Sequence, residues 1–337
     1  MSKQSKIPPV TDEEWLEVCD FNRDLTEEYL LESVNLSKET LKQYESGLKI
    51  WFRWVKENVK NKPLTEIKSR DFLKYQNFLT RNGLSSSAIR FKRSCVSALN
   101  EWVITYYEDE YPTFRNFITK QIKLPPKTFV HDKEPLTEEE LNILIKNLEE
   151  RKEWQKLAYL TFSYSTGCRR TESTQLLKEV ADYDIVKKEK EITNDNGEKE
   201  IKEIKYYITH EIRCKGRGEV GKVRKLKFDE TAMKYIKKWL EVRGDDNCPY
   251  VFVTKYGGEI KQISRNTFNQ WCSNDFEKCI GRRVHPHILR ESRATNLVIH
   301  EGKNIEAAQS LLGHESSETT QIYVIRDTSE DADEAFL

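Results

Sequence analysis

The sequence predicts a mainly α-helical chain with a small β-sheet, in which a helical N-terminal domain precedes a mixed α/β domain. Three observations carry this expectation. From Ser37 to about residue 124, apolar residues recur at intervals of three and four, the period of amphipathic helices. A proline-bearing stretch over 125–135, with Pro125-Pro126 and then Pro135, interrupts that pattern, and tandem prolines favour stiff, extended backbone. Beyond it the helical period returns but is broken once by strict alternation over Lys205 to Arg213, the signature of a half-buried strand. A length of 337 residues fits this division, since domains average roughly 100 to 200 residues.

Residues 1–36 carry Pro8 and Pro9, then a helix-like stretch from Asp12 to Leu31 with Trp15, Val18, Phe21, Leu25 and Tyr29 at loosely helical spacing. This is either a leading helix or an arm that docks a partner, and the residues alone leave both open. Ser37 is placed to cap a helix carrying Leu41, Tyr44, Leu48, Trp51, Phe52 and Val55, and Pro63 ends it. Thr65 to Leu79 forms the next, with Phe72, Tyr75, Phe78 and Leu79 on one side, closed by Asn82-Gly83. Ser85-Ser86-Ser87 opens a third, in which Ile89, Val96, Leu99 and Val103 alternate with Arg90, Lys92 and Arg93. A bundle over 37–124 is the economical assignment.

After the linker, Thr137 and Glu140 form a capping box ahead of Leu141 to Leu148. Trp154 to Ser165 is a helix apolar at Leu157, Leu160 and Tyr164, and it leads directly to Arg169. The run 187–202, with Asn-Asp-Asn-Gly inside a series of charges, reads as an exposed insertion. Lys205 to Arg213 and Lys222 to Phe228 are expected to pair across a glycine-rich turn. Thr231 to Val242 is helical, Pro249 to Thr254 short and apolar, and Ser264 to Cys279 helical again.

Lys plus Arg and Asp plus Glu both number 56, so no global basic surplus exists and any surface for a polyanion must be local. One such patch is legible: between Ile201 and Lys227 stand nine Lys or Arg against three Glu. No apolar run approaches the roughly 18 to 20 residues of a membrane span, and the start lacks a signal-peptide core, so the expected location is the cytoplasm, with no membrane partner. Seven cysteines contain no C-x-x-C pair, which indicates packed, reduced thiols and no structural zinc.

The chemistry concentrates near the C-terminal end. His287 and Arg290 lie three apart, so a helix over Ile288 to Leu297 would send both off one face. Leu311-Leu312-Gly313-His314 ends an apolar-periodic segment at a glycine and delivers a second His at the turn. Tyr323 follows one short helix later. Two imidazoles, an arginine and a phenol without an acidic cluster describe a site for an anion, and a phosphate diester is the natural candidate.

In this order, H-x-x-R, L-L-G-H and a Tyr preceded by Thr319-Thr320-Gln321-Ile322 resemble the C-terminal signature of the tyrosine recombinase (phage integrase) family. Its partner motif, T-G-x-R-x-x-E, is supplied by Thr166-Gly167-Cys168-Arg169-Arg170-Thr171-Glu172. The pattern S-x-x-T-L-x-x-Y at Ser37, followed by a G-x-S-x-x-x-I helix, is similar to the family's core-binding domain. The resemblance implies an arm or leading helix over 1–36, a core-binding DNA clamp over 37–124, a linker over 125–135, a catalytic domain over 136–326 and an acidic tail over 327–337. It also implies a site-specific DNA recombinase that acts through a covalent 3′-phosphotyrosine, without metal or other cofactor. Its partners would be double-stranded attachment or recombination sites, bound by a homo-oligomer that is a tetramer in the synapse.

Carried over residue by residue, Tyr323 is the nucleophile and Arg169 and Arg290 are the clamp on the non-bridging oxygens. Lys215 is the general acid, with Lys222 as its rival. His287 accepts the phenol proton or bonds the phosphate, and His314 braces the same oxygens. Glu172 supports the clamp. Arg90, Lys92 and Arg93, with Arg217 and Lys222 in the hairpin, are the expected DNA contacts; a solvated basic face is the other reading of the first three. Three positions depart from the family pattern: Glu291 stands where His or Lys is common, Cys168 where Leu is typical, and Ser173 where an apolar residue normally follows the Glu. They keep open an alternative, a sequence-specific DNA-binding regulator with weak or no strand exchange. A relaxing topoisomerase shares the tyrosine chemistry, but the separate helical domain and L-L-G-H favour the recombinase.

Overall fold

Serine and threonine caps set the starts of several helices, and the apolar stripes that follow decide what each buries. In a computed structural model, which describes residues 7–126, 134–193, 199–214, 221–314, 316–321 and 324, the chain divides into two compact units on either side of residues 132 and 133.

The N-terminal unit contains α1 (Asp12–Leu16), α2 (Asp20–Glu32), α3 (Lys38–Asn58), α4 (Ser69–Arg81) and α5 (Ser86–Tyr106). Ser37 caps α3 by accepting the Thr40 N–H, and Ser85 caps α5 by accepting that of Ala88. Leu48, Trp51, Phe52 and Val55 form the buried stripe of α3, against Phe72, Tyr75 and Leu79 of α4 and Ile89, Val96, Leu99 and Val103 of α5. Trp51, at 0% exposure, centres the core, its ring 4.8 Å from that of Tyr75 and 5.6 Å from that of Phe72. Helix α4 begins later than the expected Thr65, because Leu64–Glu66 closes a separate tight turn after Pro63 and Asp71 caps the Lys68 N–H.

The described part of the leading segment is helical. Trp15, Val18, Leu25 and Tyr29 are buried in the same core as Trp51. The stretch forms two helices because the chain turns at Cys19, whose N–H goes to Asn61 Oδ1. Arg53, 8% exposed, ties this segment down by donating to the Pro8 and Pro9 carbonyls and to Glu14.

The second unit is built on α6 (Glu138–Glu150), α7 (Trp154–Thr166) and the single turn α8 (Arg170–Ser173). There follow β1 (Val186–Thr193), β2 (Lys199–Ile208), β3 (Ile212–Cys214), β4 (Lys222–Arg224), β5 (Lys227–Phe228), α9 (Glu230–Arg243), β6 (Val253–Tyr256) and β7 (Glu259–Gln262). The order closes with α10 (Arg265–Trp271), a π turn into α11 (Glu277–Ile280), α12 (Pro286–Thr295), a second π turn, α13 (Ile305–Leu312) and α14 (Ser317–Gln321). The expected capping box starts α6, with Thr137 Oγ1 accepting the Glu140 N–H and Glu140 accepting that of Thr137. Helix α7 is central: it packs on α6, α9 and α12, and Leu157, Ala158, Leu160 and Phe162 are at 0% exposure. Tyr159 of α7 stacks on Phe268 of α10 with centroids 3.9 Å apart.

The β-structure differs from the single hairpin expected. Lys205 to Arg213 is broken between β2 and β3, because side chains replace ladder bonds there. Thr209 exchanges bonds with Leu226 through both its carbonyl-facing N–H and its hydroxyl, and His210 Nε2 accepts the Leu177 N–H. Within 187–202 the described residues form an antiparallel ribbon of β1 and β2, in register from Val186↔Tyr206 to Thr193↔Lys199, with 187–191 and 199–202 exposed. Strand β5 joins β2 only at Tyr207↔Phe228 and Ile208↔Lys227. Strand β3 pairs with β4, placing Cys214 opposite Lys222, and β6 pairs with β7, a hairpin the sequence reading did not anticipate. Among the described residues no helix is long and apolar enough to cross a membrane.

Candidate active site

Helix α7 must stop abruptly to present the residue that follows it. Gly167 stops it at φ +58°, and an added Cβ would lie 2.5 Å from Leu312 Cδ2, so both backbone and space demand glycine. Two residues later, Arg169 enters α8. Its backbone N–H and its guanidinium both bond the Glu172 carboxylate, at 3.1 and 3.0 Å. Arg224 of β4 reaches the other side of that carboxylate, with Nη2 2.9 Å from Oε2. Glu172 is at 0% exposure. Burial alone pushes its carboxyl up, but the Arg224 charge and hydrogen bond, together with the bonds to Arg169, outweigh burial and hold it below its ordinary value. The carboxylate therefore stays ionised between two arginines.

Arg290, on α12, is fully buried. Its Nη1 donates to the Gly167 carbonyl, and its Nη2 donates to Leu312 O at 2.9 Å and to His314 Nε2 at 2.7 Å. A guanidinium only donates, so His314 Nε2 accepts and its proton sits on Nδ1, which bonds Thr320 Oγ1 at 2.9 Å. Burial, then the charges of Arg290, Arg169 and Arg224, push the His314 pKa down to about 4. The sequence left this tautomer open; the bond from Arg290 assigns it.

His287, one turn before Arg290, is exposed rather than buried, so the two residues present opposite degrees of access from one helix. It lines a pocket of about 330 Å³ with Cys168, Arg169, Arg170, Thr171, Asn269, His285 and Pro286. Although the residue keeps an exposed edge, the protein packed around its ring removes enough water to hold the imidazole below its ordinary pKa, with Glu291 opposing and Arg290 adding to the shift. Glu291, 4% exposed, lies four residues on along the same helix. Pocket and motif thus bring Arg169 and His287 to one cleft, with Arg290 and His314 bonded behind it. Tyr323, Lys215 and Arg217 lie outside the described residues.

Two departures from the family pattern turn out to be one. Cys168 Sγ lies 3.1 Å from Ser173 Oγ, which lies 3.2 Å from Ser163 Oγ, all three buried. Where the family pattern has two apolar residues, this chain has a polar pair in mutual contact.

The expected DNA contacts divide. Arg93 donates to the Thr119 and Ile122 carbonyls and to Gln76 and lies over the Phe72 ring, so in this structure it fastens the chain after α5. Arg90 donates at 3.4 Å to the Pro125 carbonyl, and the Lys92 ammonium is half-buried, its pKa lowered by that burial. Lys222 is exposed on β4. Arg224 was missed, although a signal existed. In the sequence it alternates with Leu226 and Phe228, both buried, and an arginine in register with buried apolar residues needs a buried acceptor. Among the described residues no group of three or more His, Cys, Asp or Glu could hold a metal.

A cleft that gathers arginines and imidazoles, in a mixed unit that follows a helical one, is suited to an anion such as a phosphate diester. Residues 134–330 match the phage integrase family and residues 26–105 match the phage integrase N-terminal SAM-like domain, so the chain belongs to the phage integrase family of tyrosine recombinases. It is a site-specific recombinase, an enzyme of DNA breakage and rejoining. The SPbeta prophage-derived recombinase-like protein YomM of Bacillus subtilis (strain 168) is 33% identical over 341 residues, covering 100% of this chain and 97% of that protein. Tyrosine recombinase XerC of Vibrio parahaemolyticus is 38% identical over 117 residues, 34% of this chain and 36% of that one. In fold, the chain is similar to the Tn1549 transposon integrase solved with transposon right end DNA: TM-score 0.65 and 15% identity, covering 93% of this chain and 97% of that one.

Proposed function

We propose that the protein exchanges DNA strands by two transesterifications at one phosphate. The Tyr323 oxygen attacks phosphorus, the bond to the 5′ oxygen breaks, and that oxygen leaves as a hydroxyl after taking a proton from Lys215, or from its rival Lys222. The resulting 3′-phosphotyrosine preserves the phosphoester energy, and a 5′ hydroxyl from another strand reverses the step. Arg169 neutralises charge on the non-bridging oxygens, and His287 takes the phenol proton or bonds the phosphate. Arg290 and His314 contribute to the same centre, and a bound phosphate would compete for the Arg290 donors now given to carbonyls. Arg90, Lys92, Arg217 and Lys222 contribute DNA contacts. Double-stranded recombination sites are the substrate, engaged by four copies across two sites.

The observation that supports this reading best is the 330 Å³ cleft where Arg169 and His287 meet, backed by an ionised Glu172 that fixes one arginine and a neutral His314 that fixes the other. The test is a nicked suicide substrate from the flanking DNA, incubated with protein and run on a denaturing gel. A covalent adduct is expected, and Tyr323→Phe should abolish it while leaving site binding nearly intact. Tight binding without any adduct in the wild type would overturn the reading in favour of a DNA-binding regulator.

A further inference from the structure

Arg224 lies outside the conjunction of residues argued above, yet its guanidinium is among the most fully committed in the second unit. Each of its nitrogens serves a different element: Nη2 bonds Glu172 Oε2 at 2.9 Å, Nε bonds Cys214 Sγ at 3.2 Å, and Nη1 bonds the Leu311 carbonyl at 2.8 Å. Those three partners lead, respectively, to Arg169 through the shared carboxylate, to Lys215 as the next residue after Cys214, and to His314 through the end of α13. We propose that Arg224 is a positioning residue of the cleavage centre, joining in one planar fork the turn that carries Arg169, the strand β3 that ends one residue before Lys215 in the sequence, and the end of α13 that precedes His314.

Further geometry agrees with this assignment. Gly313 of L-L-G-H has φ +65°, and a Cβ there would lie 2.5 Å from Arg224 Nη1, so the motif glycine leaves room for this guanidinium as well as ending α13. The base of the β3–β4 hairpin is also held from the other side, since Gln175 accepts the Arg213 N–H and donates to the Arg213 carbonyl. Gln175 ties the strand to the turn of Thr171 and Glu172, whereas Arg224 ties it to the Glu172 carboxylate and to α13 together. The side chain is 18% exposed, and an ammonium could supply its charge but not its planar set of three directed donors.

The inference rests on the proposed tyrosine chemistry, and the experiment separates the two. Wild type, Arg224→Gln, Arg224→Lys and Tyr323→Phe are compared for site affinity, melting temperature and single-turnover cleavage of saturating suicide substrate. Misplacement of catalytic groups by about 1 Å can cost about 100-fold in rate, so Arg224→Gln should cleave about 100-fold more slowly while its affinity stays within about threefold of wild type. Arg224→Lys, which keeps the charge opposite Glu172, should recover part of that rate. If Arg224→Gln does not fold, the rate and affinity of Arg224→Lys decide. Wild-type cleavage in either variant, or equal losses of affinity and cleavage, would overturn the positioning role. An adduct surviving Tyr323→Phe would instead overturn the nucleophile assignment.

Discussion

A neutral histidine pressed against an arginine makes a measurable claim about acid. The His314 pKa is pushed from an ordinary 6.5 to about 4, so between those values the unfolded chain binds a proton that the folded one refuses. Stability therefore rises with pH across this window and is lost as pH falls from 6.5 towards 4; below that both states are protonated and this contribution is constant. Melting temperatures of wild type and His314→Gln, taken from about pH 7 to about pH 5, should show the shallower decline in the variant. His287, also held low, contributes in the same direction in both proteins, so the difference isolates His314. The Cys168, Ser173 and Ser163 group makes a second claim at this scale. Ser173→Ala removes the middle hydroxyl and should cost about 1 to 3 kcal/mol in denaturant unfolding, with Cys168→Ala in the same chain adding less than its separate cost. The motif residues were legible because their types and order are written in the sequence. The tautomer of His314, the burial of Arg290 and the pairing of Cys168 with Ser173 were not, because each is a relation between side chains from different elements.

Helices were the most legible elements, and their caps explain why. Ser37, Ser85 and Thr137 each accept an N–H three residues on, so the start of each helix is a local property of a few residues. Strand limits failed where local and distant bonds compete. Thr209 and His210 look like strand residues by alternation, yet their side chains take the N–H groups of Leu226 and Leu177 and end the ladder. The ribbon of β1 and β2 shows the opposite case, a ladder of exposed residues that no apolar stripe announces. It meets the rest of its sheet only at Tyr207 and Ile208. Excising Lys190 to Lys202 and joining Glu189 to Glu203, which face each other across the ladder, by Asn-Gly should change unfolding stability by less than about 0.5 kcal/mol. A larger loss on thermal denaturation would show that the ribbon packs on something.

At the scale of the molecule, two apolar cores share no side chain: one centred on Trp51, the other on α7 with Tyr159 and Phe268. Each closes around its own helices, and the proline-bearing stretch 125–135 is the proposed joint. We expect residues 134–337 expressed alone to melt cooperatively, at a temperature matching one of two transitions in the full chain, as calorimetry would show. Composition made two domains the natural expectation, but the way residues 7–32 complete the first core was invisible, since their loosely helical spacing fits an arm as well as a wall.

The reduced thiols carry this division into chemistry. Cys95 in the first core and Cys272 in the second are at 0% exposure, while Cys19 and Cys279 are half-buried. Burial raises the Cys95 thiol to about 12 and the Cys272 thiol well above its ordinary value, so neither reacts as a thiolate until its unit opens. Alkylation followed by mass spectrometry would then time the breathing of each core separately, with no label added: Cys95 keeps one clock, Cys272 the other, and the interval between them measures how independently the two halves of the enzyme come apart.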